Sequence, residues 1–491
     1  MIQVCSAFAN AESEVSERLL RVKNHWIRAE AQLILVRSIA HTLDEKHQEI
    51  QHETLELLAT KLKVAVSSIE FAMKSEDSGN VKIRVQRWKY MLVRQKIDKT
   101  IQDLENWQQL FDPSWYLMMK AANDQIDTEL KRYKHVGSAN SQAPMSSAQS
   151  LRSALDPSLA NARPIFLPES GFESLQLHDI PLCSARIGQR EDPTKSLILE
   201  RFEPCPEINT RQFEKDIRDL ARKLAHSSAI EYGLLNCKGV VKHIKQNANR
   251  AELNAFTFIF RVPHGFSQPR SLRSCLQDMK GTNSLSDRFR LANELARSVN
   301  YVHTFGFVHK NIRPETVLLL SHGESAMGSV FLIGFDSFRM VDGRTLYKGN
   351  STWERCLYQH PSRMGSTLTE CYVMQHDIYS LGVCLLELGL WDSLIVYDDK
   401  QSSLPNDGPA VSAARSPTLG IDLPPLYFKD RLLSLARQEL RSRMGTRYSE
   451  IVVTCLTCLD PENMDFGDES EFQDEDGILV GVRYIEKVST H

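Results

Sequence analysis

The apolar positions of the first 135 residues recur at steps of four and three. Val15, Leu19, Val22, Trp26, Ala29, Leu33, Val36, Ala40 and Leu43 form one stripe; Leu55, Leu58, Leu62, Ala65, Ile69 and Ala72 form a second. Such spacing lays the apolar side chains along one face of a helix. A third stretch, from about Val81 to Leu110, carries Trp88, Leu92, Ile101 and Leu104 on its apolar side and stops at Asp112-Pro113. A short fourth covers Trp115 to Tyr133, and the turn between the second and third is Ser75-Glu76-Asp77-Ser78-Gly79-Asn80. Gly79 and Pro113 are the one glycine and one proline between Met1 and Val136, as helix interiors require. The pattern predicts an antiparallel bundle of about four helices. A coiled-coil dimer would use the same stripes.

Residues 136–163 lose this period and are rich in Ser and Ala, which predicts a flexible linker. From Pro164 short β-rich runs appear (SLILERF, AFTFIFRV, SVFLIGF), interleaved with helical spacing. This second unit runs to residue 460. Residues 461–491 form a tail that opens acidic: Asp460 to Asp476 holds nine Asp or Glu and no Lys or Arg. The organisation expected is therefore a 1–135 bundle, a 136–163 linker, a 164–460 mixed domain and a 461–491 tail.

Composition narrows the function classes. A chain of 491 residues is too long for one domain. Its 42% hydrophobic and 25% charged content is ordinary for globular proteins. A net charge of −3 argues against a dedicated nucleic-acid binder. No apolar run is long enough to span a bilayer, and the N-terminus lacks the basic region of a secretory signal. Ten cysteines are too sparse for a disulfide scaffold, so a cytoplasmic setting is expected. Cys455-Leu456-Thr457-Cys458 has no second pair, which favours buried thiols over zinc. Val81 to Lys99 holds seven Lys or Arg against one Asp. On a helix that is either a solvated basic face or a contact for anionic membrane, giving a membrane-peripheral location.

The most informative segment is Ser284 to Leu320. Ser284 with Asp287 makes a capping-box start. Phe289, Ala292, Leu295, Ala296 and Val299 then keep helical spacing as far as His303. After a turn comes His309-Lys310-Asn311-Ile312-Arg313-Pro314-Glu315-Thr316. This resembles the eukaryotic protein kinase family, whose corresponding string is His-Arg-Asp-Leu-Lys-Pro-Glu-Asn. Downstream, Gly334-Phe335-Asp336 stands where the family has Asp-Phe-Gly. Tyr358-Gln359-His360-Pro361 resembles the end of the activation segment. Asp377 to Leu388 matches the buried central helix, with its Asp and Gly. The fold class implied is multidomain: an N-terminal all-α helical bundle, then an α+β bilobal protein-kinase-like domain.

The chemistry-bearing positions are those that depart from the family. Phosphoryl transfer requires positioning and charge neutralisation. The residue that accepts the substrate proton corresponds to Asn311, whose amide cannot take a proton at neutral pH. The second Mg²⁺ ligand corresponds to Thr316, and the main one to Gly334, which has no side chain. Asp336 lies two residues on. No G-x-G-x-x-G precedes Ser196 to Phe202, and that strand has no Lys. Arg201 is the candidate substitute for the ATP-anchoring Lys, and Glu214 the candidate helix partner. The resemblance further implies that His309 and Phe335 pack between the lobes, that Asp377 holds the catalytic-loop backbone, that Lys310 stands at the family's Arg position and that Arg313 keeps a positive charge. It implies a pseudokinase, with ATP held without turnover left open and no metal site. An atypical active kinase is the alternative.

More faintly, Trp26 to Leu33, Arg87-Trp88-Lys89-Tyr90 and Ile101 to Phe111 resemble fungal helical domains of the HeLo or prion-inhibition type. The glycine-rich apolar first helix of some such domains is missing. A bundle, linker and degenerate kinase also resemble the architecture of mixed-lineage-kinase-like executioners of animal cell death. The expectation is a signalling or scaffold protein whose partners are other proteins, reached through both domains, with self-association and membrane contact as further possibilities.

Overall fold

The computed structural model describes residues 164–172, 175–189, 196–204, 210–226, 229–247, 250–278, 283–323, 327–340, 353–364, 372–397, 405–409, 425–463 and 466, with scattered positions before residue 164. The chain divides into two units, Met1–Arg152 and Ser153–Ser489.

In the first unit most of the bundle expected over 1–135 lies outside the described residues. Arg18 pairs bidentately with Asp98, Nε to Oδ1 at 2.6 Å and Nη2 to Oδ2 at 2.9 Å. Ile97 and Ile101, one helical turn apart, are both buried. One expectation is corrected. Arg84–Val85 is extended and pairs antiparallel with Met73–Lys74, so the third helix does not begin at Val81. β-branched Val85 suits a strand. The basic stretch Val81 to Lys99 is therefore not one continuous amphipathic helix. The 136–163 linker and the 461–491 tail lie almost wholly outside the described residues.

The second unit has a sheet-rich small lobe and a helical large lobe. Its elements begin with β1 (Phe166–Leu167), β2 (Gln176–Asp179), β3 (Ala185–Gln189), β4 (Leu197–Phe202) and helix α1 (Thr210–Ala225). Then come β5 (Asn236–Asn247) and β6 (Arg250–Arg261), a long hairpin. These strands form one sheet in the order β1-β5-β6-β4-β3-β2, antiparallel except that β1 joins the edge of β5 in parallel. The alternation along β4 sets its faces. Ile198, Glu200 and Phe202 are buried on one side. Leu197 and Leu199 lie on the other, in a cluster with Leu175, Val241, Ile259, Leu167 and Phe172. Helix α1 buries Phe213, Ile217, Leu220, Ala221 and Leu224.

The large lobe follows with β7 (Phe266–Ser271), α2 (Leu272–Asp278) and α3 (Leu285–Thr304). The capping box at the start of α3 is present: the Asp287 N–H donates to Ser284 Oγ at 3.1 Å, and the Ser284 N–H to Asp287 Oδ2 at 3.2 Å. β8 (Val317–His322) and β9 (Ser329–Leu332) make a three-stranded sheet with β7, in the order β9-β8-β7. Helix α4 (Met374–Leu390) is buried at every position, with Asp377 and Glu387 among its buried polar residues. Helices over Pro425–Leu435 and Thr446–Leu456 complete the lobe.

Candidate functional site

The loop between α3 and β8 is held from below by one carboxylate. Asp377, near the start of α4, accepts the His309 N–H at 2.7 Å and the His303 ring at 3.0 Å on Oδ2. Its Oδ1 accepts the Lys310 N–H at 2.9 Å and the Tyr372 hydroxyl at 2.8 Å. Burial opposes ionisation, but these donors, His303 foremost, outweigh it and hold Asp377 below the usual carboxylate range. The anchorage fixes Lys310 in the left-handed region, φ 66°. His309 is wholly buried. Its Nδ1 accepts the Asn311 N–H at 3.3 Å and its Nε2 donates to Ile333 O at 3.0 Å. Burial keeps the ring neutral, and it lies 4.8 Å from the Phe335 ring.

Asn311 spends its amide on positioning. Nδ2 donates to Asp336 Oδ1 at 2.8 Å, and Oδ1 accepts Arg313 Nε at 2.9 Å. Thr316 Oγ1 donates to Asn311 O at 2.7 Å and accepts the Arg313 N–H at 3.2 Å. Its methyl group stands against Gly334, which has φ +95°. Asn311, Arg313, Thr316, Gly334 and Asp336 are thus brought together around one spot.

Arg201 is not brought there. It is exposed, on the outer face of β4, while its neighbour Glu200 is 1% exposed and faces the cleft. The Gly334 N–H donates to Glu200 Oε2 at 3.1 Å, bridging the lobes. Burial first, then the nearby Asp336, push the Glu200 carboxyl up to about 8. The strand parity of Ile198, Glu200 and Phe202 was the signal for this. Choosing the cation at 201 put the charge on the wrong face. Glu214 likewise points elsewhere, pairing with Lys242 of β5 at 2.7 Å. Helix α1 is fastened by aromatic packing instead. Phe213 meets Phe202 at 6.0 Å, Phe256 at 5.8 Å and Phe338 at 6.2 Å.

The turn between β2 and β3 reaches across to the large lobe. Ser271 Oγ donates to Pro181 O at 2.8 Å, and Ile180 is 3% exposed. Burial pushes the Cys183 thiol up to about 12, with Glu200, Glu315 and Arg313 among its charged neighbours. The turn is therefore tied to the end of β7.

A buried ion network missed in the sequence lies behind the loop. Arg273, 0% exposed, contacts Glu315 at 3.1 Å, Glu387 at 2.7 Å and the Tyr358 hydroxyl. Glu387 also accepts the Leu394 N–H at 2.8 Å. Burial disfavours the guanidinium charge, but Glu315 and Glu387 outweigh it and raise Arg273 well above its ordinary value. Local sequence offers no sign of a network joining positions this distant.

Mg²⁺–nucleotide does not fit these residues. A lysine–glutamate pair and a metal-binding aspartate are what kinase chemistry requires. Here the cleft face of β4 presents the buried carboxyl of Glu200 in place of a cation, and Gly334, which the sequence resemblance sets against the metal-binding aspartate, has no side chain. Among the described residues no group of three His, Cys, Asp or Glu is placed to hold a metal ion. Cys455 and Cys458 are free and buried, and Cys458 Sγ donates to Gln375 O at 3.1 Å. No described helix is long and apolar enough to cross a membrane.

No family model matches the chain. Individual kinases do. Mitogen-activated protein kinase kinase 7 of Arabidopsis thaliana is 29% identical over 114 residues, 23% of this chain and 35% of that protein. Eukaryotic translation initiation factor 2-alpha kinase 1 of Mus musculus is 31% identical over 107 residues, 20% of this chain and 16% of that protein. The interferon-induced, double-stranded RNA-activated protein kinase of Rattus norvegicus is 24% identical over 186 residues, 37% of this chain and 34% of that protein. The chain thus spans about a third or less of the relatives it matches. It carries a protein-kinase-like domain.

Proposed function

We propose that the kinase-like domain is a pseudokinase: a protein-binding module that transfers no phosphate and serves as a switch for the N-terminal helical unit. The observation that carries this is Glu200. A buried carboxyl, with Asp336 nearby, stands where phosphate oxygens need a positive charge, and it is engaged in a bond to Gly334. The scaffold contacts around Asp377 and His309 are built without any need for catalysis. They give a rigid two-lobed surface for protein partners, with the helical unit as output or self-association module.

The test is a thermal-shift titration of the full chain with ATP, with and without Mg²⁺. A ligand at a hundredfold excess over Kd adds about 2.7 kcal/mol. No shift at millimolar ATP is expected. A Mg²⁺-dependent shift accompanied by phosphotransfer, abolished by Asp336→Ala, would overturn the proposal in favour of an active kinase.

A further inference from the structure

The outer edge of the small-lobe sheet is covered by a short piece of the chain that leads out of the 136–163 region. β1 joins β5 through two residues in register, Phe166 opposite Val240 and Leu167 opposite Val241. The Val240 N–H donates to Ile165 O at 2.9 Å. On its other side the twelve-residue β5 pairs with β6 along its full length.

The side chains of this covering segment are read one by one. The Phe166 ring lies between Lys242 Nζ, 4.0 Å from its centroid, and the Arg218 guanidinium of α1 at 5.4 Å. Glu169 meets His243 at 2.6 Å, and the far ring nitrogen of His243 is 2.8 Å from Thr257 Oγ1. Phe172 lies under Lys238 Nζ at 5.1 Å. Leu167 and Phe172 cap the apolar outer face formed by Leu175, Leu197, Val241 and Ile259. Gly239, φ +154°, lets the segment approach: a Cβ there would stand 2.6 Å from Leu167 Cδ1 and 2.7 Å from Ile165 O.

We propose that this edge is a docking site for a Phe-x-x-Glu-x-x-Phe segment whose first two residues pair as a strand and whose Glu-x-x-Phe part forms a 3-10 turn, as Glu169–Phe172 does here. In this structure it is held by the chain's own residues 166–172, and it exchanges them for the same segment of a second copy. Strand addition supplies affinity, and the cation–aromatic and His–Glu contacts supply specificity. The resident segment is only partly buried and pairs through two residues, whereas the exposed alternative is an edge strand with an apolar face, which favours capture of another strand. Exchange of an identical element between copies costs little. Because Arg218 belongs to α1 and Lys242 pairs with Glu214 of the same helix, occupancy of the edge is felt by that helix. The site is separate from the cleft, so its test stands whether or not nucleotide binds.

The test uses a fluorescein-labelled peptide of residues 162–174 and the full-length chain, read by anisotropy. Phe166→Ala in the protein vacates the site, so the peptide binds about tenfold or more tightly than to the wild type, where the resident segment competes. Adding Gly239→Val abolishes that binding, as does Phe166→Ala in the peptide. Hydrogen exchange of the unsubstituted chain gives a reading independent of variants. The Val240 amide exchanges well before the β5 amides that bond to β6. Equal peptide affinity for wild type and Phe166→Ala, no binding to either, or a Val240 amide as protected as its β6-bonded neighbours would each overturn the proposal.

Discussion

Thr316 occupies the space into which a side chain at position 334 would grow. A Cβ on Gly334 would stand 2.6 Å from Thr316 Cβ, and the Gly334 φ of +95° is itself strained for any L side chain. The two positions that the sequence resemblance sets against the kinase metal ligands are thus sterically coupled.

Restoring one ligand therefore does not restore the site. Gly334→Asp is expected to lower unfolding stability by about 2–4 kcal/mol, from overpacking and left-handed strain together. Gly334→Asp with Thr316→Ala should recover part of that loss, because the double substitution removes the contact with the Thr316 methyl group, while the Cβ contact and the strain remain. Urea denaturation of the three proteins measures it. Equal stability of wild type and Gly334→Asp would show that the loop relaxes freely and that Thr316 imposes nothing.

Glu200 gives the domain a particular pH dependence. Its folded value is raised to about 8 from an ordinary 4.5, so the native state binds a proton that the unfolded chain has released. Its contribution is fully present below about pH 4.5 and is lost as pH rises through about 8. The slope inside that window reaches about 1.4 kcal/mol per pH unit. Glu200→Gln keeps an acceptor for the Gly334 N–H and removes the titration. The variant should match the wild type near pH 5 and exceed it in stability at pH 8.5. Melting curves at the two pH values check this; a variant less stable than wild type at pH 8.5 would mean that the carboxylate is welcome there.

The sequence was legible where structure is local or periodic. The capping box at Ser284, the all-round burial of Met374–Leu390 and the loop around His309 all sit on motifs readable in one dimension. Arg201 shows the limit. The motif placed the strand within a residue, but a one-residue step in a strand moves a side chain to the opposite face, so Glu200 was passed over. Arg273 shows a second limit. Its partners Glu315, Tyr358 and Glu387 lie 42, 85 and 114 residues away, and no local pattern connects them. The third helix failed for a third reason: its apolar spacing continues across Arg84 and Val85, where the chain is extended, because period alone does not register strand pairing.

The turn that carries Ile180 and Cys183 gives the last expectation. The Cys183 Sγ accepts the Ala185 N–H at 3.4 Å, and burial pushes its thiol up to about 12, so almost none is thiolate at neutral pH. Alkylation by iodoacetamide is expected to be slow in the native chain and to require the turn to lift from Ser271. Ile180→Ala removes the buried side chain that seats the turn, and with it about 2 kcal/mol of packing. If all of that acts on turn opening, labelling at Cys183 should accelerate by about thirtyfold, while the fully buried Cys384 and Cys455 stay unreactive and report that the fold is intact. Mass spectrometry of peptides after timed alkylation separates the sites. Fast labelling of Cys183 in the unsubstituted protein would mean that the turn spends its time open.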